Sequence, residues 1–281
     1  MTMRSLVLIV GLSLSTLAQA GRAPIGWVRI PAHPIEKGGV GKVYKGNDVV
    51  HKPFAVKFND DAAVSAHEAE VLKKLSGYDG WPHYHGRYGN VFQKNRGLIT
   101  DWAHGETLEK IGVQHQPTAV QIVRQLLTHL GELHRRGYVH RDIKPRNIFF
   151  DAQRGAESTT LIDFGLTERI GTTVHGEGTP AFCAPEQWRA GKATPSSDLY
   201  GAAGVLAFLL TGRLPFQETE RLVEQGVNRS DLERIHEQRD VLRSVTDPSL
   251  RAVLHKGLSP NPADRYESAK AFRDALAPFA G

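Results

Sequence analysis

The stretch His140-Arg141-Asp142-Ile143-Lys144-Pro145-Arg146-Asn147 gathers a carboxylate, an ammonium and a carboxamide into one short loop. The apolar run Ile148-Phe149-Phe150 follows directly and reads as a strand, so the polar groups stand at a strand's edge. Further on, a second strand signal at Thr160 to Ile162 ends in Asp163-Phe164-Gly165. Asn147 and Asp163 are both hard oxygen donors, the ligand type that Mg²⁺ prefers.

These groups fit one kind of chemistry. Phosphoryl transfer needs a carboxylate to orient a hydroxyl and take its proton, oxygen ligands for a metal, and a cation beside the transferred group. Asp142, Asn147 and Lys144 supply them in that order, with Asp163 as a second metal ligand.

Working outward toward the N-terminus, Phe54-Ala55-Val56-Lys57 ends an apolar strand on a cation. Glu68 lies on a predicted helix over residues 61–75, on the side of Val71 and Leu72, where a Lys57–Glu68 ion pair would hold the lysine against phosphate oxygens. Glu70 is a substitute for Glu68, but two positions along a helix turn it away. Ahead of these, Glu36-Lys37-Gly38-Gly39-Val40-Gly41-Lys42-Val43 is a Gly-rich stretch between strand signals; glycines let backbone N–H groups approach phosphates, and they also make ordinary hairpin turns.

With Ala184-Pro185-Glu186 added, six motifs stand in one order, and the chain resembles the eukaryotic-like Ser/Thr protein kinase family over about residues 24–279. The resemblance implies an α+β, two-lobed fold: a small antiparallel β-rich N-lobe with one main helix over about 24–100, a hinge at 101–104, and a larger, mainly helical C-lobe over about 105–279. It implies ATP as phosphoryl donor, Mg²⁺ (Mn²⁺ as the alternative) and protein substrates bearing Ser or Thr. Asp142 becomes the catalytic base, Lys144 the γ-phosphate contact, Lys57 the α- and β-phosphate contact paired with Glu68, and Asn147 and Asp163 the metal ligands. ATP contacts fall on Gly38, Gly39, Gly41, Val43, Ala55, Lys57, Thr100, Asp101, Ala103, Phe149 and Ile162, with Thr100 as gatekeeper. Asp198 matches the aspartate that braces the catalytic loop, and Arg265 the arginine that pairs with Glu186. Lys144 and Gly178-Thr179-Pro180-Ala181-Phe182 point to Ser/Thr rather than Tyr acceptors. Arg141 beside Asp142 points to activation by loop phosphorylation, with Thr172, Thr173 and Thr179 as acceptors; Thr179 also matches a residue that contacts the catalytic aspartate. Glu36 departs from the family pattern by replacing the first loop glycine, which puts a carboxylate near the ribose. Two other readings are a pseudokinase-like nucleotide-binding scaffold and a small-molecule kinase; the four intact catalytic groups oppose the first, and Ala184-Pro185-Glu186 with Asp198 opposes the second.

The rest of the chain agrees with an ordinary globular protein. Strands are expected at Val40–Tyr44, Val49-Val50, Phe54–Phe58, Val91-Phe92 and Leu98–Thr100. Pro117 starts a helix whose stripe is Val120, Val123, Leu126, Leu127, Leu130 and Leu133. Leu199–Leu210 is a buried helix ended by Gly212, and Tyr266–Leu276 a last amphipathic one. Of 281 residues 40% are hydrophobic and 23% charged, which argues against a disordered chain. The net charge of +5 comes without a basic block, so no nucleic-acid partner is expected. The single cysteine, Cys183, excludes an intramolecular disulfide.

At the N-terminus, Arg4, the apolar run Leu6–Leu17 and Ala18-Gln19-Ala20 have the layout of a signal peptide cleaved after Ala20. An uncleaved anchor giving membrane association, and a start codon placed too early, are the other readings. An exported or membrane-associated protein is expected from the first two, a cytoplasmic one from the last.

Overall fold

A computed structural model describes residues 28–38, 41–48, 50–88, 97–174, 176–188, 191–215 and 240–281. The leader at 1–20, Gly39, Val40, Val49 and the strand expected at Val91-Phe92 lie outside the described residues. The chain divides into two compact units, one holding residues up to Asp60 together with His85–Asp101, the other Asp61–Tyr84 together with Trp102–Gly281.

The first unit is a sheet of β1 (Glu36–Gly38), β2 (Gly41–Asn47), β3 (Pro53–Asn59), β4 (Tyr84–Tyr88) and β5 (Gly97–Asp101) in the order β1-β2-β3-β5-β4. Strands β1, β2, β3 and β5 pair antiparallel. Alternation along β3 sends Phe54 and Val56 to one face, where they pack with Val28 and Ile99, and Ala55 and Lys57 to the other. Val50 belongs to a turn, not to a strand: Asp48 Oδ1 accepts from the amides of Val50 (2.9 Å) and Lys52 (2.8 Å), a local Asx arrangement that outcompetes β pairing. Gly41 is required where it stands. Its φ is 140°, and an added Cβ would meet the Phe58 carbonyl oxygen at 2.0 Å.

The second unit begins with α1 (Ala62–Lys74), capped by Asp61, whose carboxylate accepts from the Ala63 amide at 2.7 Å. The helix groups with the later residues because its contacts run there: Leu75 O accepts from Trp81 Nε1 (2.9 Å) and Arg136 Nη1 (2.8 Å). Then come β6 (Glu106–Thr107), α2 (Leu108–Ile111) and the long α3 (Gln116–Arg135), with proline in its first turn. The stripe Val120, Val123, Leu126, Leu127, Leu130 and Leu133 is fully buried, each leucine worth about 1.5–3 kcal/mol relative to exposure. After it stand β7 (Tyr138–Val139), β8 (Ile148–Phe150), β9 (Thr160–Leu161), β10 (Glu168–Arg169), β11 (Thr173–Val174) and β12 (Gly191–Lys192). They form small sheets β6-β8-β9, β7-β10 and β11-β12.

Helix α4 (Pro195–Thr211) is buried nearly all round and stops at Gly212, a left-handed cap (φ 68°) whose amide donates to Phe208 O at 2.7 Å. Among the described residues no helix is long and apolar enough to cross a membrane. Helices α5 (Pro248–Gly257) and α6 (Ala269–Ala275) complete the unit. The last helix starts three residues later than the expected Tyr266, because Ser268 caps it by accepting from the Ala271 amide at 3.1 Å.

Candidate active site

In the second unit the loop after β7 is held from behind by one buried carboxylate. Asp198, in the first turn of α4, accepts from the backbone amides of His140 (2.9 Å) and Arg141 (2.8 Å) and from His134 Nε2 (2.9 Å). Arg141 has φ 71°, a strained angle for a side-chain-bearing residue. It is over-determined by these bonds and by Gln187, whose amide nitrogen donates to Arg141 O at 2.9 Å while its oxygen accepts from the Ala184 amide at 3.1 Å. Gly201 of α4 leaves room for the loop; a Cβ there would stand 2.8 Å from Ile143 Cβ.

The forward side of the loop is a closed polar cluster. Asp142 Oδ2 accepts from Asn147 Nδ2 at 2.9 Å and pairs with Lys144 Nζ at 2.7 Å. Asp142 Oδ1 accepts from Thr179 Oγ1 at 2.8 Å, and that hydroxyl accepts from Lys144 Nζ at 2.8 Å. Asn147 Nδ2 also donates to Asp142 O at 2.9 Å, which fixes the amide and turns its oxygen away from Asp142.

Asp163 follows β9 with φ 66°. The turn is fastened on both sides: the Ile162 amide donates to Asn147 O at 2.9 Å, and Ile162 O accepts from His140 Nε2 at 3.1 Å. His140 Nδ1 accepts from the Asp142 amide at 3.3 Å, so the ring is neutral with its proton on Nε2. Burial pushes the His140 pKa below its ordinary value, which favours that form. The Phe164 amide donates to Glu68 Oε1 at 3.3 Å, and His67 Nε2 donates to Thr167 O at 2.7 Å, so α1 is tied to this segment. Glu68 is buried; Glu70 is exposed and pairs with Lys73.

Asn147 and Asp163 offer oxygen only, and among the described residues no cluster of three or more His, Cys, Asp or Glu could hold a metal. Such a sparse, hard donor set suits a divalent cation that takes its remaining ligands from phosphate and water, and it does not suit a four-coordinate zinc site. The residues present fit the cation.

In the first unit, Val43, Ala55, Lys57 and Thr100 share one face of the sheet, since Val43 stands opposite Lys57 and Ala55 opposite Thr100. Asp101 turns its side chain to the other face, where its carboxylate meets His85 Nε2 at 2.6 Å; its carbonyl accepts from Thr100 Oγ1 at 3.3 Å. Gly38 ends β1 and Gly41 opens β2. Ala103, Phe149 and Ile162 belong to the second unit, each half-buried.

The segment from Asp163 to Glu186 closes on an ion pair between a buried arginine and a half-buried glutamate. Arg265 Nη1 and Nη2 donate to Glu186 Oε1 (2.7 Å) and Oε2 (2.8 Å), and Ser197 Oγ donates to Glu186 Oε1 at 2.9 Å. Of the three threonine acceptors, Thr173 is exposed in β11, Thr172 is half-buried, and the Thr179 hydroxyl is engaged at Asp142 and Lys144. Gln187, His67 and His134 carry contacts that no motif announced. Gln187 had one legible signal, an amide directly after Glu186 where two polar backbone groups must be satisfied.

A sheet unit, a helical unit and a carboxylate–lysine–asparagine loop braced by a buried aspartate agree with the resemblance read from the sequence. Residues 32–276 match the family described as protein kinase domain, and the chain belongs to that family. Curated relatives include the serine/threonine-protein kinases PknD of Mycobacterium tuberculosis (30% identical over 253 residues, 83% of this chain and 37% of that protein) and pkn3 of Myxococcus xanthus (28% over 265 residues, 86% and 48%). PknL of M. tuberculosis is 30% identical over 260 residues, 84% of this chain and 61% of that protein. The chain thus spans 37% to 61% of the length of these three relatives. Among solved structures, the kinase PK-1 of Cydia pomonella granulovirus superposes with a TM-score of 0.77 over 95% of this chain and 98% of that one, at 20% identity, a likeness of fold. Protein kinases as a family use ATP, a divalent metal and a protein substrate.

Proposed function

We propose that the protein is an ATP-dependent serine/threonine kinase that moves the γ-phosphoryl group of ATP to Ser and Thr hydroxyls of protein substrates, its own among them. The observation that carries this is the Asp142 carboxylate, gripped on Oδ2 by Lys144 and Asn147 and on Oδ1 by Thr179. That grip aims a base at an incoming hydroxyl. The hydroxyl proton passes to Asp142 as its oxygen bonds to the γ-phosphorus and the bond to ADP breaks; Lys144 remains beside the transferred charge. Thr179, a hydroxyl already seated on Asp142, stands at the lip where a Ser or Thr acceptor must come. Lys57 is assigned the α- and β-phosphates and Glu68 the positioning of that lysine. The other nucleotide contacts are assigned to the residues that the family resemblance marks.

The cation is proposed to be Mg²⁺, with Mn²⁺ as the alternative, held by Asn147 and Asp163. When bound it would neutralise phosphate charge.

Residues 21–281 with ATP and Mg²⁺ should phosphorylate themselves or a generic basic protein on Ser or Thr. Asp142→Asn should lower the rate by about 10²–10⁴ while nucleotide binding persists. If wild type and variant both bind ATP and neither transfers phosphate, the scaffold reading replaces this one. We also propose export or membrane association through residues 1–20; a mature chain starting at Gly21 by mass spectrometry supports cleavage, and one retaining Met1 in the cytoplasm refutes it.

A further inference from the structure

Arg141 is a buried cation whose partners come from the segment that follows Asp163. Its side chain is 3% exposed. Among the described residues, the guanidinium meets Leu166 O through Nη1 (3.1 Å) and Glu177 Oε2 through Nη2 (3.3 Å). The two residues after Glu177 continue the contact. Gly178 runs at φ 135°, and an added Cβ there would stand 2.8 Å from Cys183 Sγ and 3.5 Å from Arg141 O. Thr179 then places its hydroxyl on Asp142. Residues 177–179 therefore dock on Arg141 and Asp142 along one short edge.

We propose that Glu177 is a positioning residue: its carboxylate holds Arg141, and with it the 177–179 edge, so that turnover does not wait for phosphorylation of Thr172 or Thr173. The inference rests on the kinase reading above. Charge supports it. One guanidinium is neutralised by one carboxylate, whereas a phosphate of about −2 charge calls for a further cation. A phosphate brought to Arg141 would meet Glu177 already there. The backbones of the two threonines are paired with another strand and not with Arg141: Thr173 stands opposite Lys192 across β11 and β12, and Thr172 O accepts from the Ala193 amide at 2.9 Å.

The test uses the full chain made with a co-expressed phosphatase and shown phosphate-free by intact mass, with a generic basic protein as acceptor. Wild type should turn over without a lag, and the Thr172→Ala/Thr173→Ala double variant should match it. Glu177→Gln should lower kcat about tenfold with KM for ATP unchanged, and Glu177→Asp should recover part of the loss. Hydrogen exchange at amides 177–183 should rise in Glu177→Gln whether or not turnover is measured. A rate that appears only as Thr172 or Thr173 gains phosphate overturns the inference and leaves the kinase reading intact. So does a Glu177→Gln variant with wild-type kcat and exchange. If wild type transfers no phosphate under any condition, the kinase reading fails, and the claim that turnover is independent of phosphorylation falls with it. Exchange at 177–183 then decides whether Glu177 still holds that edge: a rise in Glu177→Gln upholds the positioning role, and no change overturns it.

Discussion

Gln187 bridges two backbone groups that share no other side chain: it donates to Arg141 O at 2.9 Å and accepts from the Ala184 amide at 3.1 Å. The bridge ties the segment before α4 to the residue preceding Asp142. Gln187 is 5% exposed, so its loss leaves a carbonyl and an amide buried without a partner, at about 1–3 kcal/mol. Gln187→Ala should therefore lower stability by that amount and relax Arg141 from its positive φ. Steady-state kinetics should show kcat falling while KM for ATP holds. An unchanged kcat in a protein that has lost stability would mean the bridge is structural only.

The pair Arg265–Glu186 is bidentate, and Arg265 also donates to Ser259 O, Pro260 O and Ser196 O. Its side chain is fully buried and lies over the Tyr200 ring at 4.7 Å. Removing Arg265 leaves Glu186 with the Ser197 hydroxyl and part access to water, and leaves three backbone carbonyls without their donor, so Arg265→Ala should cost about 2–4 kcal/mol in unfolding free energy. Denaturant unfolding checks this; a loss below about 1 kcal/mol would show that water reaches Glu186 and that the pair acts like a surface contact.

Much of this was legible in the sequence because the motif residues are distinctive in chemical type. Asp142, Asn147 and Asp163 read as oxygen donors, and the 3.6-residue stripe of α3 read as core. The rest has two causes: short polar side chains that turn or cap the chain locally, and contacts between residues far apart in sequence. Val50 looks like a strand residue, yet Asp48 turns the chain beneath it. Helix α5 went unread although Asp247 and Pro248 signal its start, with Asp247 accepting from the amides of Ser249 (2.9 Å) and Leu250 (3.1 Å). Strand β4 (Tyr84–Tyr88) carries two tyrosines, His85, Gly86 and Arg87, a pattern without an apolar face, so only its sheet neighbour identifies it. The approach of Glu177 to Arg141 spans 36 residues and could be read only in three dimensions.

Acid should weaken the fold before the carboxylates titrate. His140 and His129 are both buried, and burial pushes each pKa below its ordinary value. His129 accepts from Tyr78 OH on Nδ1 at 2.8 Å and donates from Nε2 to Thr159 O at 2.8 Å, so it too is held neutral. The unfolded chain then binds more protons than the folded one below about pH 6.5, and stability rises with pH there. The full contribution is present above pH 6.5 and is lost as pH falls from that value toward the lowered folded pKa, by of order 1 kcal/mol per pH unit for each ring. Glu132 acts elsewhere. Hydrogen bonds from Arg135, then Arg136, hold its pKa down to about 2, so its effect falls below the ordinary carboxylate range. Melting followed from pH 7.5 to 5.5 should stay level to about pH 6.5 and then decline, and His129→Gln should flatten the decline; a level profile throughout would mean that the rings open to water.

Asn147 is given two duties that a pair of variants can separate. Its amide nitrogen donates to Asp142 O and Oδ2, both at 2.9 Å, and its oxygen is the proposed metal ligand. Asn147→Asp keeps an oxygen but removes both donors and brings a second carboxylate to Asp142. Asn147→Ala removes oxygen and donors together. The alanine variant should need more Mg²⁺ for half-maximal rate, and kcat should fall by about 10²-fold because the base loses a preorganised donor. The aspartate variant should bind the cation at least as tightly as wild type and yet stay slow, because Asp142 then faces a like charge instead of an N–H. Metal titrations of both variants, read by rate and by a metal-dependent shift in melting temperature, distinguish the duties. Equal Mg²⁺ dependence in wild type and Asn147→Ala would remove the asparagine from the metal site and leave it only as the residue that holds Asp142.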